Sequence, residues 1–181
     1  MAAAGREDPT AVLWIMLLTG AATLGTWAVA CATPFAALAT LAALRMRARD
    51  GLALILLSWA MGQGIGFGLL HYPHDRTTIL WGAVLGLAAV AGTVAARSAA
   101  NVARDDVVRL PVAFLAALSA NKAVIVVVSL RLGGLHLALS PRLALRQSAI
   151  ETVTLVALLL LHHALRRTGL PAVTAPRSLP A

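Results

Sequence analysis

Residues 51–76, GLALILLSWAMGQGIGFGLLHYPHDR, constrain the fold of this chain more than any other stretch. Residues 51–70 contain no charged side chain, and they are long enough to cross a bilayer core of about 30 Å. Four glycines alternate around Gln63, at Gly62, Gly64, Gly66 and Gly68. Each would cost a soluble helix roughly 1 kcal/mol relative to alanine, whereas between membrane helices two GxxxG spacings, 62/66 and 64/68, let backbones approach closely. The stretch predicts the central, most tightly packed helix of a polytopic membrane protein.

The composition supports this interpretation and argues against a nucleic-acid-binding protein. Hydrophobic residues make up 60% of the 181 residues and charged residues 12%, against about 45–50% and about 25% in soluble domains. The net charge of +8 comes from short basic clusters between apolar segments, which is typical of topology signals and not of a nucleic-acid face. We therefore expect the lipid bilayer as a partner and no nucleic acid, and the length allows one helical bundle.

Six apolar segments predict an all-α, polytopic integral membrane bundle. The predicted spans are 11–33, 34–46, 51–70, 77–96, 110–130 and 148–165. The second is short, because Pro34 interrupts the helix and the apolar run after it reaches only about 15 Å. If this run is re-entrant or continues the first helix, five spans remain. Residues 1–10 form an amino-terminal segment, 11–165 the single membrane domain, and 166–181 a tail expected to be disordered.

The distribution of arginine predicts the orientation. The connectors 45–50 and 97–109 and the tail from 166 each hold three arginines, whereas the alternate side holds Arg76, Arg131, Arg142 and Arg146. The positive-inside rule places the three-arginine groups in the cytoplasm. We therefore expect a cell (inner) membrane protein with a cytoplasmic carboxyl terminus. With six spans the amino terminus is cytoplasmic as well. The apolar excursion 132–146 then lies outside, as an amphipathic connector or a lid.

Polar side chains inside the spans give the candidate ligand site. Lys122 and Glu151 are charged residues within spans, a costly placement that is usually paired or functional. The predicted spans put them about 12 Å and about 5–6 Å from the outer ends of consecutive helices. Gln63, Asn121 and Trp81 fall at a similar depth, so all five are candidate ligand-binding residues around a pocket open to the outside.

Two interpretations of these residues remain open. In the functional one, Lys122 meets an anionic or carbonyl-bearing ligand, and Gln63 and Asn121 form hydrogen bonds with it. Glu151 then positions Lys122 or meets a cationic group, while Trp81 and Trp59 stack against a flat ligand. In the structural one, Lys122 and Glu151 form an ion pair that joins two helices, and the amides bond between backbones.

No motif supports catalysis, a cofactor or a metal site. GQGIGFG lies within an apolar span and follows no strand, so it is not a nucleotide loop. His71 and His74 form an HxxH interrupted by Pro73, and a metal site would need further ligands, for which Asp75 is the one neighbour. Cys31 is the only cysteine, which excludes an internal disulfide. We therefore predict no catalytic residue, no metal and no cofactor.

Small-residue faces and the broken second segment, PFAALATLAALR, suggest a family. Ala21 and Gly25, and Ala36 and Thr40, form faces suited to helix docking. In layout over residues 11–165 the chain resembles the substrate-binding S components of energy-coupling-factor vitamin transporters. The resemblance implies a six-helix membrane protein whose ligand site opens outward and whose small-residue faces meet a coupling subunit.

Three functions follow from these features. The first is a solute-binding or transport subunit with an outward-facing polar pocket, which needs other membrane subunits for energy. The second is a structural or assembly subunit that uses its glycine faces for docking. The third is a membrane-embedded enzyme acting on lipid, which would require Glu151 and either His136 or His71 to meet in one cleft.

Overall fold

The computed structural model describes Met16, Gly20 and residues 33–167, and this part of the chain is helical, without a strand. Four helical stretches in it are long and apolar enough to cross a membrane: Ala48–Leu69, Arg76–Val102, Val107–Leu132 and Pro141–Leu161. The prediction of an all-α bundle of membrane-spanning helices is confirmed at this level. The predicted count of six stays a prediction, because most of span 11–33 lies outside the described residues, as do Ala21, Gly25 and the tail from 168.

We number the α-helices in chain order. They are α1 (Phe35–Arg45), α2 (Ala48–Gly64), α3 (Arg76–Val102), α4 (Asp106–Leu132), α5 (Leu135–Ala138) and α6 (Pro141–Arg167). A π-helical turn, Ile65–Leu69, continues α2. The short α1 exists as a separate helix because Pro34 begins it and the extended backbone at Met46 ends it.

The centre of the bundle is the short helix α1. Every residue from Phe35 to Ala42 is buried, and α2, α3, α4 and α6 all pack against it. Its alanines let four neighbouring helices approach from all sides, which longer side chains would prevent. The expectation that the glycine-rich helix is central is wrong for this part of the chain, because α2 buries only Gly51, Leu54, Ile55 and Ser58 along its length.

Close contacts between helices involve glycines outside residues 62–68. A Cβ added to Gly92 of α3 would lie 3.2 Å from the carbonyl oxygen of Ala117 in α4, and one at Gly51 would lie 3.0 Å from Cβ of Ala42. By contrast, a Cβ at Gly64 or Gly68 would meet no atom within 4 Å in the described part of the chain. The 64/68 spacing is therefore unused there, and helix docking at these two glycines stays a prediction.

The other two glycines, Gly62 and Gly66, face side chains and not the backbone of a neighbouring helix. A Cβ at Gly62 would lie 3.4 Å from Oγ1 of Thr33, and one at Gly66 would lie 2.7 Å from the ring of Tyr72. The Tyr72 ring reaches Gly66 because the chain folds back after the π-helical turn, where the Tyr72 N–H donates to the Gly66 carbonyl at 3.0 Å. His71 makes this reversal with a φ of 53°. Residue 66 must be glycine because a side chain there would collide with the Tyr72 ring, and not because a neighbouring helix backbone approaches it.

Two helices extend further than the hydropathy pattern predicts. Helix α6 begins at Pro141 and not near residue 148, because Ser140 and Pro141 start a helix where we expected them to interrupt a connector. Helix α3 continues to Val102, beyond the predicted end at 96. The turn between α4 and α5 uses Gly133 and Gly134, whose φ values of 88° and 86° favour glycine.

Candidate functional site

A cavity of about 560 Å³ lies where the amino end of α1 meets α2, α4 and α6. This volume falls within the range of small-molecule sites, about 300–1,000 Å³. Most of the lining is apolar, and the polar part contains one carboxyl group and three carboxamides. The polar lining residues are Thr33, Gln63, Asn121, Gln147 and Glu151, and the aromatic ones are Phe35, Trp59 and Tyr72.

Glu151 fixes the amino end of α1. Its Oε2 accepts a hydrogen bond of 2.9 Å from the backbone N–H of Ala37, and its side chain is only 3% exposed. The first N–H groups of a helix have no partner within it, and the helix dipole favours a negative charge there. Because α6 begins at Pro141, Glu151 lies about 15 Å along its helix and not at the predicted depth of about 5–6 Å.

Arg97 of α3 satisfies the opposite end of the same helix. Its Nη2 donates to the carbonyl oxygens of Ala42 at 3.2 Å and of Met46 at 3.1 Å. A cation at a helix carboxyl end is favourable for the same electrostatic reason. The sequence predicts Arg97 as the first residue of the connector 97–109, where it counts as a topology signal. No pattern in the sequence shows that it folds back onto α1.

One face of α2 and the turn after it forms a wall of the cavity. Trp59, Gly62, Gln63 and Gly66 all line it, and their spacing of i, i+3, i+4 and i+7 is that of one helix face. The indole N–H of Trp59 donates to the carbonyl oxygen of Gly82 at 2.8 Å. Since this hydrogen bond occupies the indole nitrogen, Trp59 contributes an aromatic surface to the cavity and not a hydrogen-bond donor.

Glycines 82 and 86 on α3 make room for this wall. A Cβ at Gly86 would lie 2.8 Å from Cε2 of Trp59, and one at Gly82 would lie 2.5 Å from Oε1 of Gln63. Gly82 and Gly86, one helical turn apart on α3, therefore leave space for the side chains of Gln63 and Trp59 of α2. Replacing either glycine would displace a cavity-lining side chain.

Asn121 places an unpaired carboxamide at the cavity. Its side chain is 7% exposed, and among the described residues it has no hydrogen-bond partner. Ile125, one helical turn further along α4, also lines the cavity. Burial of an unpaired amide is unfavourable, so a solute or water in the cavity would supply the missing hydrogen bonds.

Of the five predicted ligand-binding residues, the structure brings Gln63, Asn121 and Glu151 together at one cavity. Lys122 and Trp81 do not line it, and no ion pair joins Lys122 to Glu151 in the described part of the chain. Adjacent residues on a helix point about 100° apart, and of this pair only Asn121 lines the cavity. The ion pair between Lys122 and Glu151, which the structural interpretation predicts, is not formed among the described residues, and Glu151 accepts a hydrogen bond from a backbone amide.

Sequence reasoning did not identify Gln147, Tyr72 or Thr33 as lining residues. Gln147 precedes Glu151 by one helical turn and shares its face, but the predicted span began after it. Tyr72 was assigned to a polar turn, and its ring reaches the cavity only because of the π-helical turn. Had the helix been predicted to begin before Gln147, the spacing of four residues would have placed Gln147 on the same face as Glu151. This spacing is the one sequence signal that could have identified Gln147.

The histidine-containing turn has a structural role. Asp75 caps α3: its Oδ1 accepts from the N–H groups of Thr77 at 2.9 Å and Thr78 at 3.0 Å. The His74 ring packs 5.3 Å from that of Phe67. Within the residues that the structure describes, no three His, Cys, Asp or Glu side chains are grouped closely enough to hold a metal ion.

Comparisons of this chain with protein-family models, with curated proteins and with solved structures found no match. The fold and the cavity therefore define only a class: a helical bundle with membrane-spanning helices and a polar cavity at the amino end of a buried short helix.

Proposed function

We propose that this chain is a solute-binding or transport subunit of a membrane, and that its solute binds in the cavity at the amino end of α1. The observation that supports this most directly is the buried carboxamide of Asn121, which has no hydrogen-bond partner among the described residues and lines the same cavity as the carboxyl group of Glu151. A purely structural bundle gains nothing from leaving an amide unpaired. A binding site requires such groups to be available to a ligand.

The position of the cavity fits entry from outside the cell. Its lining residues come from the carboxyl end of α2 and from the ends of α4 and α6 far from the arginine clusters. The clusters at 45–49 and 97–109 lie at the opposite end of these helices. Under the positive-inside rule that end is cytoplasmic, so the cavity opens toward the outer face and the carboxyl terminus lies in the cytoplasm.

A coupling partner belongs to this proposal. The sequence contains no nucleotide-binding motif or catalytic arrangement, so energy for transport would come from other membrane subunits, as the resemblance to S components of energy-coupling-factor transporters implies. We therefore propose a non-enzymatic, six-span protein of the inner membrane.

The second candidate is an assembly subunit, and the exposed glycines favour it. Gly64 and Gly68 have the GxxxG spacing, are exposed, and have no atom within 4 Å of a Cβ placed on them, among the described residues. Such a face suits close packing against a further membrane helix. A structural subunit would bind no small solute and would copurify with larger polypeptides.

A thermal-shift screen of the detergent-purified protein against small organic solutes tests the first proposal. A solute at 100 times its dissociation constant should add about 2.7 kcal/mol to the stability of the folded state. Asn121→Leu removes the unpaired amide, and Gly86→Ala pushes Trp59 toward the cavity, so both should weaken any true cavity ligand at least tenfold.

Matched controls come from the same helices. Ser119→Leu changes an exposed position two residues before Asn121, and Gly64→Ala adds a methyl group where no atom lies within 4 Å. Both should bind the solute like wild type. The proposal fails if no solute stabilises the wild type, or if a hit is equally strong in all four variants. In the first case the assembly subunit becomes the leading function.

A further inference from the structure

The cavity contains one acidic side chain and no basic one. Among the described lining residues, Glu151 is the sole Asp or Glu, and none is Lys, Arg or His. Lys122, which the sequence suggested as a counter-charge for an anion, does not line the cavity. Four arginines lie at the same end of the helices as the cavity, but none of them lines it: Arg76, Arg131, Arg142 and Arg146. An organic anion in this cavity would therefore meet a carboxyl group with no basic side chain to offset it.

A backbone hydrogen bond holds the carboxyl group of Glu151 in place at the cavity. One carboxyl oxygen accepts from the N–H of Ala37 at 2.9 Å, which fixes the orientation of the group and partly balances its charge through the helix dipole. Among the residues that the structure describes, no basic side chain forms an ion pair with Glu151. A carboxylate buried without a cationic partner is costly, and a cationic solute would supply that partner.

The aromatic lining favours the same kind of solute. Trp59 and Tyr72 both line the cavity, and the indole N–H of Trp59 is already bonded to the Gly82 carbonyl oxygen. Aromatic faces attract ammonium groups, with Trp the strongest, by about 0.5–1 kcal/mol at exposed sites and more when desolvated. The carboxamide oxygens of Gln63, Asn121 and Gln147 can accept hydrogen bonds from the remaining N–H groups of the ammonium.

We propose that the cavity binds a small organic cation, with its ammonium group near Glu151 and Asn121 and its apolar or aromatic body against Trp59 and Tyr72. This assignment rests on the proposed function, since it names the class of solute for the same cavity. It replaces the anionic ligand that Lys122 had suggested.

Three probes of nearly equal size and different charge test this class. They are tyramine, which carries an ammonium group, the neutral alcohol tyrosol, and the anion 3-(4-hydroxyphenyl)propionate. Binding to the wild-type protein in detergent is measured by isothermal titration calorimetry. We expect tyramine to bind about tenfold more tightly than tyrosol and the anion to bind most weakly, because a charge-assisted hydrogen bond is roughly twice as strong as a neutral one. This series does not depend on the folding of any variant.

Glu151→Gln identifies the group responsible. The variant keeps the size and an acceptor oxygen for Ala37 but loses the charge. The variant should bind tyramine about tenfold more weakly than wild type, and its affinity for tyrosol should change by less than about threefold. Asp75→Asn removes a carboxyl group outside the cavity, changes the net charge equally, and should leave both affinities unchanged.

Ammonium groups also occur in phosphatidylethanolamine, so the tyramine titration is repeated in nanodiscs of phosphatidylethanolamine and of phosphatidylglycerol. Weaker tyramine binding in phosphatidylethanolamine would identify the lipid headgroup as the source of the cation, and equal binding would identify a water-borne amine. Both outcomes support the class.

Equal or tighter binding of the anion would overturn the proposal and leave the cavity as a solute site of another class. Failure of all three probes to bind would also overturn it, and the wider solute screen would then decide the proposed function independently.

Discussion

Individual polar residues in this chain contact backbone groups at helix ends more often than they contact one another. Glu151 accepts from the Ala37 N–H, Arg97 donates to two carbonyl oxygens of the α1 carboxyl end, and Asp75 accepts from the first amides of α3. Helix ends leave backbone groups without partners, and a membrane interior has no water to supply them. The charged side chains near the spans therefore have structural partners even where they also face a cavity.

The Glu151 contact should contribute measurably to stability. Glu151→Ala leaves the buried N–H of Ala37 without an acceptor, which we expect to cost roughly 1–3 kcal/mol of unfolding free energy. Glu151→Gln keeps an acceptor and should lose less. Unfolding in mixed detergent micelles measures the difference. Thr152→Val is the control, because its hydroxyl is exposed and bonds within its own helix to Ser148. A Glu151→Ala protein as stable as the control would contradict the contact.

The Asp75 cap should make stability depend on pH at the acid end. Hydrogen bonds, first from the Thr78 hydroxyl and then from backbone amides, lower the pKa of this exposed carboxyl from its ordinary value of 3.8. A group with a lowered pKa in the folded state contributes its full stabilisation above the unfolded pKa and loses it as the pH falls through the folded pKa. Asp75→Ala should therefore melt lower than wild type at pH 6.

The difference in melting temperature between wild type and Asp75→Ala should shrink from about pH 4 downward. Thermal unfolding at several pH values measures it. Thr78→Val serves as a second variant, because it removes only the hydroxyl donor, which bonds Oδ2 at 2.6 Å. A difference that stays constant down to pH 2.5 would show that the cap does not titrate as described.

At the scale of helices, α1 is stable because its neighbours satisfy both of its ends. An isolated helix of 11 residues is marginal even in water, and this one has no side-chain cap of its own. Glu151 from α6 and Arg97 from α3 supply an acceptor at the amino end and a donor at the carboxyl end. Both charges match the helix dipole. The short helix is therefore a product of its packing and not of its own propensity.

Removing the Arg97 contact should loosen α1 from its carboxyl end. Arg97→Met keeps the apolar stem and loses two hydrogen bonds to carbonyl oxygens, so we expect a loss of about 1.5–3 kcal/mol. Arg97→Lys should lose less, since it retains a charged donor. Arg104→Met, an exposed position after the end of α3, serves as the control in the same unfolding assay. Equal stability of the two methionine variants would contradict the capping role.

For the whole molecule, the contacts of Arg97 place the carboxyl ends of α1 and α3 at the same end of the bundle. Since α4 and α6 follow in alternation, the connector before α2 and the one after α3 should lie on one side of the membrane, and the segment around α5 on the other. From the arginine clusters and the positive-inside rule, we expect the first side to be cytoplasmic.

Cysteine labelling tests this arrangement. Cys31 is first replaced by serine, which leaves a chain without cysteine, and single cysteines are then introduced as Ala48→Cys, Val102→Cys and His136→Cys. In intact cells, an impermeant maleimide should label only the protein with cysteine at 136. The other two should react after the membrane is opened. Labelling of all three from one side would contradict the alternation of the spans.

The sequence by itself determined the class of fold and the approximate level of the site. Long uncharged apolar runs can satisfy their backbone in a bilayer only as helices, so hydropathy alone predicts the spans at 51–70, 77–96 and 110–130. Polar residues inside such runs are rare enough to stand out, and for this reason Gln63, Asn121 and Glu151 could be selected before their positions were known.

Only the tertiary structure decided which residues meet. Hydropathy records how apolar a segment is and not which face it buries, so it could not show that the short α1 lies at the centre while Lys122 faces away from the cavity. The start of α6 at Pro141 and the end of α3 at Val102 lie in more polar sequence outside the apolar runs, so a hydropathy window does not detect them. The partners of Glu151 and Arg97 are backbone atoms distant in sequence, and backbone atoms have no sequence signature.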